Sequence, residues 1–238
     1  MPTTPLPPRE RPRGAPLLAP LLAPLAATCA AAVLAACGPK SHPLLRPNAK
    51  DERRAAPDTF VVRFETTQGA FSAQFVRDWA PRGVDRIYYL VRSGFYDDAR
   101  FFRVIPRFVA QFGASGDPAV NKVWESRTIP DDPVRQSNVR GTIAFATAGP
   151  NTRTTQLFVN LAANGRLDRL GFTPVGRVTD GLARVVDSLY AGYGEGPPRG
   201  KGPDQDRLAA EGTVYLAREY PRLDYVRKAV VVREARKR

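Results

Sequence analysis

Residues 101–113 read FFRVIPRFVAQFG, a run of aromatic and aliphatic residues interrupted by the charged Arg103 and Arg107 and the amide of Gln111. Pro106 lacks the N–H that a sheet ladder needs and marks a kink, so the run divides into two strand-like pieces, 100–106 and 108–113. Working backwards, Phe60, Val62 and Phe64 alternate with Val61, Arg63 and Glu65. Thr66-Thr67-Gln68-Gly69 then offers a turn, and 70–76 supplies a return strand. Working forwards, β-like runs recur at 142–147, 155–160, 173–178 and 225–234. The sum is about eight strands.

Two stretches carry helical spacing instead. In APRGVDRIYYLVRSG, residues 80–94, Val84, Ile87, Tyr88 and Val91 fall at i, i+3, i+4 and i+7, with Pro81 suited to the first turn and Gly94 to the stop. Leu182, Val185, Val186 and Leu189 repeat that spacing within 180–190. Strands outnumber helices and do not alternate with them, so the expected fold is mainly β, an eight-stranded antiparallel barrel capped by two α-helices.

The chain of 238 residues is 43% hydrophobic, enough for one principal domain. Its 36 Lys and Arg against 23 Asp and Glu give a formal charge of +13. The basic residues are dispersed, and no zinc-finger, RNP-type or basic-heptad pattern accompanies them, so a solvated basic surface is expected and nucleic acid is not a partner. The two cysteines, Cys29 and Cys37, and the single histidine, His42, all lie near the N-terminus. Beyond residue 42 the chain therefore has no material for a Cys or His nucleophile-base pair or a His- or thiolate-bound metal, and no cofactor or metal is expected.

The N-terminus reads as an address. Arg9, Arg11 and Arg13 precede an uncharged stretch, 14–37, that ends in Leu34-Ala35-Ala36-Cys37-Gly38, which resembles a bacterial lipobox. Pro16, Pro20 and Pro24 argue against a retained membrane helix. The expected organisation is a signal peptide over 1–36, a lipidated Cys37 with a flexible tether over 37–58, and a folded domain over 59–238. Gly192, Gly194, Gly196, Gly200 and Gly202 lack the order of a phosphate loop and read as part of an irregular surface loop.

Two longer stretches carry a resemblance. VRSGFYDDARFFRVIPRFVAQFG (91–113) and GTIAFATAGPNTRTTQLFVNLAANGRLDRLGFTPVGRV (141–178) resemble, in the right order, the two signatures of the cyclophilin-type peptidyl-prolyl cis-trans isomerases. The resemblance covers residues 59–234. It implies an antiparallel barrel with two helices and a site on the barrel's outer surface. It also implies a catalytic role for Arg103 supported by Gln111, with Phe108, Val109, Phe158 and Leu167 forming a proline pocket. Ala146, Thr147 and Gln156 would line the groove. Phe172 stands where the family commonly closes the pocket with histidine, Arg166 where it often has tryptophan, Val109 where it has methionine, Thr147 where it has asparagine, and Arg107 and Phe112 where glycines are common.

Such a site suits a folded body that lacks Cys and His beyond residue 42, because isomerisation breaks no bond. The planar amide is held by a resonance barrier of about 18–20 kcal/mol, and a site that favours the twisted state lowers it. The twisted prolyl nitrogen becomes a hydrogen-bond acceptor, and an arginine is a permanent donor. The implied function is isomerisation of X-Pro bonds in exported proteins, by a monomer attached to a membrane through Cys37 and acting on proline-containing polypeptides. The alternative is a chaperone module that grips proline segments with little turnover.

Overall fold

A computed structural model of the chain describes residues 43–236. The expected signal peptide, Cys37 and His42 lie outside the described residues. Eight strands run β1 Thr59–Thr66, β2 Gly69–Val76, β3 Arg103–Ile105, β4 Val109–Phe112, β5 Thr142–Phe145, β6 Leu157–Asn160, β7 Pro174–Asp180 and β8 Val226–Ala235. They form one antiparallel sheet in the order β3-β4-β6-β5-β7-β2-β1-β8. The sheet curls as a half-barrel, stitched rather than laddered at its seam: just ahead of the edge strands β3 and β8, Arg100 and Tyr225 form an isolated antiparallel bridge.

Alternation decides which face is buried. Phe60, Val62 and Phe64 of β1 meet Phe75, Ala73 and Phe71 of β2 across the ladder, and all are essentially inaccessible. Phe64 stacks on Phe71 with ring centroids 4.8 Å apart, and Phe60 on Phe75 at 5.2 Å. Helix α2, Pro81–Arg92 once α1, Ala49–Glu52, is counted first, closes this core with Val84, Ile87, Tyr88 and Val91. Its first N–H groups, which have no partner within the helix, are capped from a distance: the Asp132 carboxylate accepts from the backbone of Arg82 at 3.1 Å and of Gly83 at 2.9 Å. It ends in the paired bonds of a Schellman turn, Phe95 N to Leu90 O and Gly94 N to Val91 O.

The second expected helix is not regular. Residues 180–190 bury Val185, Val186 and Leu189, but only Val186–Ser188 form a short 3-10 turn. The bonds change from i+4 (Val185 N to Gly181 O) through i+5 (Asp187 N to Leu182 O) to i+3 (Ser188 N to Val185 O). Two adjacent β-branched valines, both buried, favour this irregular winding over a uniform helix. Helices occur instead in segments for which the sequence reading names none: α3, Pro118–Trp124, capped by the Asp117 side chain, and α4, Gln205–Glu219, broken at Gly212.

Residues 43–58, part of the expected tether, are not free of the domain. Leu44 and Ala56 are buried in the main core, and Trp124 Nε1 donates to Leu44 O at 3.0 Å. Ala56 N donates to Asp85 at 2.8 Å, and Arg127 pairs with Glu52 at 2.6 Å. A few anchors suffice where an average over composition reads only proline and charge.

Candidate active site

The curled sheet has two dry faces. The concave one holds the main core; on the other, Val109, Ala144, Phe158 and Leu167 form a separate buried cluster flanked by Phe108, Ala146 and Phe172. Register explains the separation. Arg103 of β3 lies opposite Gln111 of β4, Gln111 opposite Phe158 of β6, and Phe158 opposite Ala144 of β5. Directly paired residues share a face, so one row across four strands carries a guanidinium, an amide, a phenyl ring and a methyl. Their neighbours Val104, Ala110, Phe112 and Val159 point the other way, into the main core.

Side chains of Arg103, Phe108, Val109, Gln111, Ala146, Thr147, Gln156, Phe158, Leu167 and Phe172 line one open cavity of about 680 Å³, together with Arg166, Glu195 and Arg199. Its apolar floor is Val109, Phe158 and Leu167, each nearly inaccessible. Phe172 stands edge-on to Phe158 at 5.7 Å. The Arg103 guanidinium carbon lies 5.5 Å from the Phe108 ring centroid, and that of Arg166 lies 4.9 Å from the same ring, so one aromatic wall carries two cations.

A chain of amides aims the arginine. Arg103 Nη1 donates to Gln111 Oε1 at 3.2 Å, and Gln111 Nε2 donates to Gln156 Oε1 at 2.9 Å. The Thr147 hydroxyl is engaged within its own turn, with Gly149 and with Thr152 Oγ1 at 2.7 Å.

A polar network that the sequence reading does not single out holds the pocket's outer wall. Asn164 Nδ2 donates to Phe108 O at 2.9 Å and to Asn160 Oδ1 at 2.8 Å; Asn160 Nδ2 in turn donates to Asn138 Oδ1 at 3.0 Å. Asn138 donates to Phe172 O and to Asp168. Partial desolvation pushes the Asp168 carboxyl up, but hydrogen bonds from Ser137 and from the side chain and backbone of Asn138 outweigh it and leave its pKa below the ordinary range. The signal for this network is the density of asparagine in NLAANGRLD, residues 160–168.

A profile of the family described as cyclophilin type peptidyl-prolyl cis-trans isomerase/CLD matches residues 61–203. The chain belongs to the cyclophilin-type peptidyl-prolyl cis-trans isomerases. It is 33% identical over 133 residues to peptidyl-prolyl cis-trans isomerase-like 1 of Gibberella zeae, covering 53% of this chain and 80% of that protein. It is 34% identical over 128 residues to the isomerase ppi1 of Schizosaccharomyces pombe, covering 51% and 80%. Among solved structures it resembles a cyclophilin-type isomerase of Cryptosporidium parvum, with a TM-score of 0.54, 20% identity and coverage of 74% of this chain and 99% of that one. The cyclophilin AquaCyp293 from Hirschia baltica gives a TM-score of 0.52 at 22% identity, with coverage of 75% and 76%. These two likenesses concern the fold.

In this cyclophilin the Arg107 position has a backbone explanation. Pro106 and Arg107 are the central residues of the β3–β4 turn, Phe108 N donates to Ile105 O at 3.0 Å, and Arg107 has φ +61°. Proline followed by a positive φ is the pattern of a type II turn, whose third position favours glycine. The sequence reading also missed Glu195. It receives Arg103 Nε at 2.7 Å and Nη2 at 2.8 Å. The hydrogen bond from Arg103 lowers the Glu195 pKa against an opposing desolvation, helped by the charges of Arg103 and Arg199 and by the Gly196 N–H.

Proposed function

We propose that this cyclophilin isomerises X-Pro bonds at the outer-face cavity, with Arg103 as the residue that donates to the twisting amide. The observation that supports it is the placement of a guanidinium, held by Gln111, at the rim of a cavity floored by the apolar side chains of Val109, Phe158 and Leu167. Phe108, Val109, Phe158, Leu167 and Phe172 would hold the proline, and Gln156, Ala146 and Thr147 the chain on either side. As the C–N bond leaves planarity the prolyl nitrogen becomes pyramidal and its lone pair can accept from Arg103. That hydrogen bond is unavailable in either planar state, so it lowers the barrier without tightening ground-state binding. Arg103→Ala should keep the far-ultraviolet circular dichroism of the native chain and lower kcat/KM on a short X-Pro peptide by roughly 10²-fold, the size of loss typical for a donor used in the transition state. Undiminished turnover would count against the assignment.

The N-terminal sequence supports an exported role: the chain is lipidated on Cys37, held at the cell envelope, and assists folding of exported polypeptides, where X-Pro isomerisation takes tens to hundreds of seconds uncatalysed. Mass spectrometry of the membrane-extracted protein should find a mature chain beginning at Cys37 with acyl mass. A chain starting earlier, or without that mass, refutes the anchor.

A further inference from the structure

The loop carrying Glu195 links the segment 180–190 to α4, and its glycines match no phosphate-binding order. Its Glu195 carboxylate reaches across to Arg103. Both side chains are largely withdrawn from water, at 16% and 21% exposure, and the geometry is a side-on fork, Oε1 on Nε and Oε2 on Nη2. Gly196 N donates to Oε1 at 3.2 Å, and Arg199 Nη2 lies 3.8 Å from Oε2.

A guanidinium has five N–H donors in one plane. Glu195 takes the Nε–H and one Nη2–H along one edge; Gln111 takes one of the two on Nη1. One N–H on each of Nη1 and Nη2 remains for a substrate. A carboxylate on the Nε edge therefore fixes the plane of the guanidinium without consuming its tip. It also neutralises the charge, which costs this reaction little: rotation about an amide creates no formal charge, and the twisted nitrogen is a neutral acceptor. What the chemistry needs is a donor held in place.

The loop is built to hold that carboxylate. A Cβ on Gly200 would fall 2.1 Å from Glu195 O, so only glycine lets the chain fold this tightly around the residue. Gly202 N donates to Glu195 O at 2.8 Å, and Tyr220 OH donates to Gly202 O at 3.1 Å. Tyr193 lies edge-on to Tyr190 and to Tyr220, with centroids 5.0 Å away in each case. The loop is thus fastened both to the segment before it and to the end of α4.

We propose that Glu195 is a positioning residue for Arg103, a clamp that holds the guanidinium plane so that its two remaining N–H groups face the bound X-Pro bond. The proposal rests on the reading of Arg103 as the donor to the twisted amide. Steady-state kinetics of the full chain on a short X-Pro peptide, with NMR of arginine Nε–H groups, tests it. Glu195→Ala should lower kcat about tenfold or more while KM stays within about twofold, since a misplaced catalytic group costs rate rather than ground-state affinity. Glu195→Gln, which keeps an acceptor, should recover part of the loss. In an Arg103→Ala background, Glu195→Ala should have no further effect. The Arg103 Nε–H signal, identified by its disappearance in Arg103→Lys, should exchange slowly with water in the native chain and quickly in Glu195→Ala. Equal or higher activity of Glu195→Ala, or a loss that persists without Arg103, overturns the proposal. A native chain with a protected Nε–H but no turnover on any X-Pro peptide sinks the isomerase reading instead, leaving a clamp without a catalytic purpose.

Discussion

Arg107 shows how a single residue can look functional and be conformational. Set between Arg103 and Gln111 in sequence, it is exposed and sits at the one position of the β3–β4 turn where φ is positive. An L-residue there is strained by roughly 1–2 kcal/mol, whereas glycine relieves the strain but adds about 0.5–1 kcal/mol of unfolded-chain freedom. Arg107→Gly should therefore leave stability within about 1 kcal/mol of the native chain by urea denaturation, and kcat/KM on an X-Pro peptide unchanged. Arg107→Val should lose a further kcal/mol or so, because β-branching is poorly tolerated at positive φ. A large activity loss in Arg107→Gly would give this arginine a role in the groove. The contrast with Glu195 explains what sequence could reveal at this scale. Arg103, Gln111, Phe108 and Phe158 sit inside two continuous, recognisable stretches, whereas Glu195 meets Arg103 across 92 positions, from a glycine-rich loop that matches no motif. No local pattern encodes that meeting.

Among elements, strands were the more legible kind. Each of the eight announces itself by alternation or by a short apolar run between turn residues, and β1 and β2 match their expected spans almost to the residue. Helical spacing identified which residues of 180–190 are buried but not how the backbone winds, because burial at i, i+3, i+4 and i+7 tolerates mixed hydrogen-bond lengths. α4 escaped notice because its outward side is unusually charged. Arg207 bonds Glu219 at 2.8 and 2.9 Å and Glu211 at 2.8 Å, and Arg218 reaches both glutamates. Hydrogen bonds from Arg207 and then Arg218 pull the Glu219 pKa from its ordinary 4.5 down to about 2. A folded-state value below the unfolded one means that the pairing supports α4 above about pH 4.5 and is lost as pH falls towards 2. Amide-exchange protection in α4, corrected for the intrinsic rate, should drop across that interval while β4 and β6 stay protected. Molar salt at neutral pH should loosen α4 more weakly, these groups being exposed and screened. Equal protection of α4 at pH 3 and pH 6 would show that its apolar side, Leu208, Tyr215 and Leu216, holds it unaided.

At the scale of the whole sheet, the seam between its edges carries the remaining argument, because a half-barrel whose edge strand β3 is only 3 residues long needs something to keep the curl. Asp224, 6% exposed, stands there. Its Oδ1 accepts from the Thr67 hydroxyl at 2.5 Å and Gln68 Nε2 at 3.0 Å, its Oδ2 from Tyr190 N at 2.7 Å, and its carbonyl from Phe101 N at 2.9 Å. On either side Val226 N donates to Ala99 O, and the Arg100 guanidinium lies 3.9 Å over the Tyr225 ring. One residue thus ties the β1–β2 turn and the end of the 180–190 segment, through its carboxylate, and the approach of β3, the strand that presents Arg103, through its carbonyl, to the start of β8. Asp224→Ala strands several donors in a place closed to water, at about 1–3 kcal/mol for each that finds no substitute. A net loss of about 3 kcal/mol should lower Tm by about 6–12 °C in a domain of this size. Asp224→Asn, which keeps the shape and an acceptor, should lose roughly a third of that. Because the row of Arg103, Gln111 and Phe158 is bonded independently through β4 and β6, kcat/KM well below Tm should stay near native in both variants. Should Asp224→Ala melt with the native chain, the curl is held by the core alone; should it keep its Tm but lose turnover, the seam positions β3 for catalysis rather than holding the sheet together.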